Sequence, residues 1–328
     1  MTEGGELSLA REPEPHRFRG LRIASLLLIG AGVAITAAVI GSAPDILSGG
    51  DLAGGAERAV ALLAWLALGG LALLVGLAAH AARSLVVRHA MPEGRYRGPS
   101  ILVMLVLAVI AANVVLLPVA GEVAALFGDG DLTPLGSLLV LTVTQLGLVG
   151  AATLYVFAPR ALAGVSWLPA RGLWRSIGIG LGLALPAWIG AQLIGLAVVR
   201  LLSLFGLEPE TGVGSEALAR ADPVVLLVAL VLVAPVAEEI FFRGVVYNAW
   251  LREHGPRAAL IGSAVLFSLI HGSLFLFVPF LALGIALALL YRATGSLPAA
   301  IALHAGFNAI TVLLGLLARY GILDLPVT

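Results

Sequence analysis

Uncharged apolar runs of bilayer-spanning length recur from one end of this chain to the other. We read nine of them, at about 21–43, 57–82, 99–120, 133–158, 174–205, 223–250, 258–274, 275–292 and 297–319. A helix that crosses the hydrocarbon core needs about 20 predominantly apolar residues. In that medium only helices and closed barrels satisfy their own backbone hydrogen bonds. The runs do not alternate apolar with polar residues, so a barrel is disfavoured. A mean hydropathy of +1.06, with 60% hydrophobic and 12% charged residues, agrees. The expected fold is all-α: a polytopic transmembrane helical bundle of about nine segments. The division at 274/275 rests on Ser273 and the region of Pro279, and one bent element would also fit there.

Arginine placement orients the chain. Arg11, Arg17, Arg19 and Arg22 precede the first segment, and Arg83, Arg88, Arg95 and Arg97 follow the second. Arg160, Arg171 and Arg175 lie between the fourth and fifth, Arg252 and Arg257 follow the sixth, and Arg292 follows the eighth. The intervening loops carry acids, including Asp45, Asp51 and Glu57, then Glu122, Asp129 and Asp131, then Glu208, Glu210, Glu216 and Asp222. The positive-inside rule therefore puts the N-terminus in the cytoplasm and the C-terminus outside, in a multi-pass protein of the plasma membrane. The stretch 21–43 reads as a retained span rather than a signal peptide. Residues 159–175, with Trp167 and Trp174, suit a cytoplasmic interfacial segment or a loop with aromatic anchors. His80, His89 and His254 sit beside arginines near cytoplasmic ends and read as structural or interfacial. The expected organisation is a cytoplasmic tail over 1–20, transmembrane segments over 21–205 and a C-terminal transmembrane domain over 206–328.

Several chemistries are excluded. The chain has no cysteine, hence no disulfide, thiol nucleophile or Cys-ligated metal. All 19 basic residues are arginine, so no lysine nucleophile exists, and a net charge of zero gives no reason to expect nucleic acid.

Against that background, Glu238, Glu239 and Arg243 follow directly on the apolar run 224–236. A charge at the bilayer centre costs about 2.5–3.5 kcal/mol on insertion scales, so three ionisable groups there need a reason. On a helix Glu239 and Arg243 are i and i+4 and can pair. Glu238 is turned roughly 100° away, with no evident local counter-charge. Pro235 should remove the backbone bond to residue 231 and loosen the helix, admitting water. A structural salt bridge is the competing reading of this group. His271 lies four residues after Phe267, and Phe267 itself reads most simply as packing. His304 and Asn308 are again i and i+4, among Ala305, Gly306 and Ala309, which permit close helix approach. They read as two donors aimed at an oxyanion or as interhelical polar glue. A carboxylate base, a second His and a His/Asn donor pair together compose a hydrolase set. Ser263 and Ser268 have no evident paired base.

The series Glu238-Glu239-x-x-x-Arg243, Phe267-x-x-x-His271, His304-x-x-x-Asn308 resembles the three-motif signature of the CPBP family. That family comprises type II CAAX prenyl proteases and the bacteriocin-processing and abortive-infection membrane proteins. The resemblance covers about 223–312 and implies intramembrane glutamic proteolysis. Carried over by position, Glu238 with His271 activates water, and His304 with Asn308 stabilises the tetrahedral oxyanion. Glu239 and Arg243 organise the first motif. No cofactor is expected. The zinc alternative uses Glu238, His271 and His304 as ligands. The expected partners are membrane lipids and a hydrophobic or lipidated peptide substrate. A non-catalytic membrane immunity or binding protein, and a proton-coupled transporter, are the rival function classes. One tension stands against a shared site. His304 lies seven residues past the expected start of its helix and His271 thirteen past its own, a depth difference of roughly 9 Å.

Overall fold

The computed structural model describes residues 19–42, 55–89, 100, 102, 172–207, 222–271 and 273–323. Every regular element among them is helical: α1 (Arg19–Ser42), α2 (Gly55–His89), α3 (Leu173–Ser203), α4 (Pro223–His254), α5 (Pro256–Leu269), α6 (Leu274–Thr294) and α7 (Leu297–Arg319). Six are long and apolar enough to cross a membrane, namely all but α5. The expected segments at 99–120 and 133–158, nearly all of the interfacial stretch 159–175 and nearly all of the tail lie outside the described residues. The seventh expected segment, 258–274, is corrected. Its helix has 14 residues, hence a length of about 21 Å against a hydrocarbon core of about 30 Å.

The described residues fall into two units. In the first, α1 and α2 form an antiparallel pair. A Cβ on Gly32 would meet the Gly69 carbonyl oxygen at 2.8 Å, and one on Gly76 would meet the Ile29 amide nitrogen at 2.9 Å, so the backbones touch where only hydrogens separate them. His80 is buried in this pair, with Nδ1 3.2 Å from Ser25 Oγ, the structural one of the two readings.

The second unit holds α3–α7. Its helix ends follow capping chemistry. Asp222 accepts from the amides of Val224 and Val225 at the start of α4. Ser273 accepts from Leu276 N–H, so α5 and α6 are separate helices rather than one bent element, and Ser296 accepts from Ala299 N–H at the start of α7. Gly295, at φ +58°, closes α6 in the left-handed conformation that a side chain would oppose. Contacts fix the relative directions. Gly180 and Trp188 of α3 meet Ala299 and Thr311 of α7 in parallel order. Leu230 and Glu239 of α4 meet Asn308 and His304 of α7 in reverse order. Ala264 and Ser268 of α5 meet Gly284 and Phe277 of α6, also in reverse. Successive helices α3–α7 therefore alternate in direction.

Helix α4 is not uniformly α-helical. Its bonds widen to the five-residue π register over Leu227–Val233 and again over Ile240–Val246, flanking the α-turn Ala234–Glu239. Pro235 sits at that junction. The first wide stretch shifts the bond a proline removes from residue 231, as expected, to residue 230, because amides there reach back five positions. The apolar core, including Phe241, Phe242, Val245, Phe267, Leu287, Leu303 and Phe307, surrounds the two glutamates.

Candidate active site

The doubly wound-out α4 carries Glu238, Glu239 and Arg243 into the bundle interior, where all three are buried. Arg243 Nη1 donates to Glu239 Oε1 at 2.8 Å, and Nη2 donates to the Gly284 carbonyl oxygen of α6 at 3.0 Å. The guanidinium also lies over the Phe267 ring, 4.9 Å from its centroid.

Helix α7 supplies the next member. His304 Nδ1 stands 2.9 Å from Glu239 Oε1, and its Nε2 stands 3.9 Å from Glu238 Oε2. One imidazole thus contacts Glu239 at hydrogen-bond distance and faces Glu238 at ion-pair distance. Glu239 Oε1 also accepts from Arg243, and the same oxygen suits a hydrogen placed on His304 Nδ1, the tautomer assigned from this contact. Glu238, which showed no counter-charge in the sequence, faces the other nitrogen of that ring.

His271 lies in the turn after α5. Its Nδ1 is 2.7 Å from the Phe267 carbonyl oxygen, which can only accept, so Nδ1–H donates and Nε2 is left as the basic nitrogen. The Phe267 ring lies 4.9 Å from the His271 ring and 5.6 Å from the His304 ring, and His271 is in electrostatic reach of both Glu238 and His304. The expected depth difference between the histidines does not keep them apart. It assumed parallel axes starting at one level, and the short α5 does not obey that assumption. Phe267 is more than generic packing: one ring touches both histidines and the guanidinium.

Asn308 makes an interhelical polar contact, one of the two readings its spacing allowed. Its Nδ2 donates to the Leu230 carbonyl oxygen of α4 at 2.8 Å. Ser263 and Ser268 donate to the backbone carbonyls of Leu260 and Phe277. Among the described residues no group of three His, Cys, Asp or Glu side chains is arranged to hold a metal ion.

Sequence reasoning missed Gly284, whose carbonyl holds Arg243, and Phe280, whose ring lies 4.3 Å from that of His271. A glycine inside an apolar helix was the available signal for Gly284, since a Cβ there would meet Ala264 Cα at 3.0 Å. Phe280 carries no signal that distinguishes it from its apolar neighbours. A second buried network was also missed: Asn248 donates to the carbonyls of Arg243 and Gly244 and lies 3.1 Å from Tyr291 Oη.

Comparison with known proteins returns one family. Residues 220–310 match the family model of the type II CAAX prenyl endopeptidases, Rce1-like. The match spans α4 to Asn308 of α7 and contains all three motifs, so the CPBP resemblance holds for this stretch, and it implies a membrane protease. No curated protein and no solved structure matches the chain.

Proposed function

We propose that this integral membrane protein is a glutamic endopeptidase that hydrolyses a peptide bond of a membrane-associated substrate. The observation that carries the reading is the buried chain Glu238–His304–Glu239–Arg243, with His271 beside it, inside the stretch similar to CAAX endopeptidases. A lone structural ion pair needs one carboxylate, whereas here a second carboxylate faces the far side of the same imidazole.

In this mechanism Glu238 and the Nε2 of His271 draw a proton from water as its oxygen attacks the scissile carbonyl carbon. The carbonyl π electrons move onto oxygen. His304, held by Glu239 at Nδ1, offers Nε2–H to that oxyanion when the ring carries both protons, and Arg243 with the imidazolium then balances the two carboxylates. The second N–H of the Asn308 amide is the other donor. Collapse of the tetrahedral intermediate breaks the C–N bond, and the proton taken from water passes to the departing amine. No step requires a metal. The substrate class is a hydrophobic or lipidated peptide presented from the bilayer, because the acid–base groups lie among apolar helices.

The decisive experiment compares peptide termini in membranes carrying the wild type or Glu238→Gln at matched protein levels. New termini confined to the wild type are expected, with Glu238→Gln folded but inactive. Equal cleavage by Glu238→Gln would refute the mechanism.

A further inference from the structure

In the π-helical stretch Leu227–Val233, amide hydrogens reach back five residues, and Ala234 N–H bonds the Ala229 carbonyl oxygen. The next bond in that register would run from residue 235 to the Leu230 carbonyl oxygen. Residue 235 is proline and has no N–H to give. The Leu230 carbonyl is instead met from another helix, by Asn308 Nδ2 at 2.8 Å. An unanswered carbonyl in an apolar bundle is costly, so this bond is a strong constraint.

We propose that Asn308 is a positioning residue that replaces the amide hydrogen missing at Pro235 and so pins α7 to α4 beside the glutamates. The inference deepens the peptidase reading and, for activity, rests on it. The lever arm is short at both ends. Pro235 precedes Glu238 by three residues, and Asn308 follows His304 by four, about one helical turn in each case. The pin therefore sets the register in which His304 Nδ1 meets Glu239 and Nε2 faces Glu238. An amide nitrogen has two hydrogens, so one can hold Leu230 while the other serves an oxyanion. The two roles are separable, because only the first depends on the proline.

The test uses the full-length chain in lipid nanodiscs as wild type, Asn308→Ala, Pro235→Ala and the double variant. Hydrogen exchange of the backbone amides over 228–240 and kcat on a cleaved peptide are both read. Asn308→Ala should exchange at least about tenfold faster over 228–240 and lose about 10³-fold in kcat, about 10²-fold of it from the lost oxyanion donor. Pro235→Ala restores a backbone N–H, so the double variant should return toward wild-type exchange and recover at least about tenfold in kcat over Asn308→Ala. A residue acting only as an oxyanion donor would show no rescue by Pro235→Ala. Unchanged exchange in Asn308→Ala overturns the proposal. So does a double variant as slow as Asn308→Ala when Pro235→Ala alone is active. Should Asn308→Ala fail to fold, recovery of folded protein in the double variant is the expected result, and its failure the contrary one. The exchange readout stands even if no peptide is cleaved, so failure of the pin and failure of the peptidase reading are told apart.

Discussion

Arg243 has no exposed surface, and a carboxylate and a carbonyl answer its two Nη groups while an aromatic face covers its plane. Removing it strands Glu239 in an apolar interior with only His304 as partner. Breaking a buried pair by deleting one member typically costs about 3–5 kcal/mol. Arg243→Ala should therefore lower stability by that order, read as a fall in Tm and in folded yield in detergent micelles. Arg243→Lys should not recover it, because a single ammonium cannot span Glu239 and the Gly284 carbonyl as the forked guanidinium does. A wild-type Tm for Arg243→Ala would show that Glu239 is not an uncompensated charge without it. At this scale the Glu239–Arg243 contact was readable from i,i+4 spacing alone, because both residues lie on one helix. The His304 contact was not. Spacing on α4 and on α7 places side chains on faces, but only the packed bundle says which faces meet, and so Glu238 looked solitary until α7 was in place.

Elements were legible where local chemistry fixes their ends. The run 297–319 coincides with α7, since Ser296 caps it, Pro298 sits in its first turn and the left-handed Gly295 stops the helix before it. The π-helical stretches of α4 were not legible, since a five-residue bond register leaves no hydrophobic period of its own. Pro235 announced only that some bond must be missing. Close helix approach was partly legible, through small residues. A Cβ on Gly180 would lie 2.3 Å from the Ala299 carbonyl oxygen, and one on Gly306 would lie 2.6 Å from Ala184 Cβ, whereas one on Gly178 meets nothing within 4 Å. Gly180→Ala should force α3 away from α7 and destabilise by about 1–3 kcal/mol, the usual range for overpacking. Gly178→Ala, one residue pair away on the same helix, should gain about 0.4–1 kcal/mol by restricting the unfolded chain. Thermal unfolding of the two variants side by side separates the effects. Equal shifts would mean that α3 and α7 do not meet through Gly180.

For the whole molecule, composition alone forced a helical membrane bundle, and within it α3–α7 alternate in direction. The short α5 shows the limit of that reading. An apolar run has a length in sequence, but how much of it is helix depends on where the neighbours let it turn, here at Ile270 and His271 before the Ser273 cap. Arginine placement predicts which face of the bundle meets the cytoplasm, and that face decides from which side a substrate reaches Glu238. The positive-inside reading puts Arg257, at the α4–α5 turn, in the cytoplasm and Tyr320, just past α7, outside. Both side chains are exposed. The chain has no cysteine of its own, so one introduced thiol is an unambiguous reporter. In intact cells a membrane-impermeant maleimide should label Tyr320→Cys but not Arg257→Cys, and should reach the latter once the membrane is opened. Labelling in the opposite order would invert the bundle. The α4–α5 turn would then face outward, and soluble cytoplasmic polypeptides would no longer be candidates for cleavage from that end.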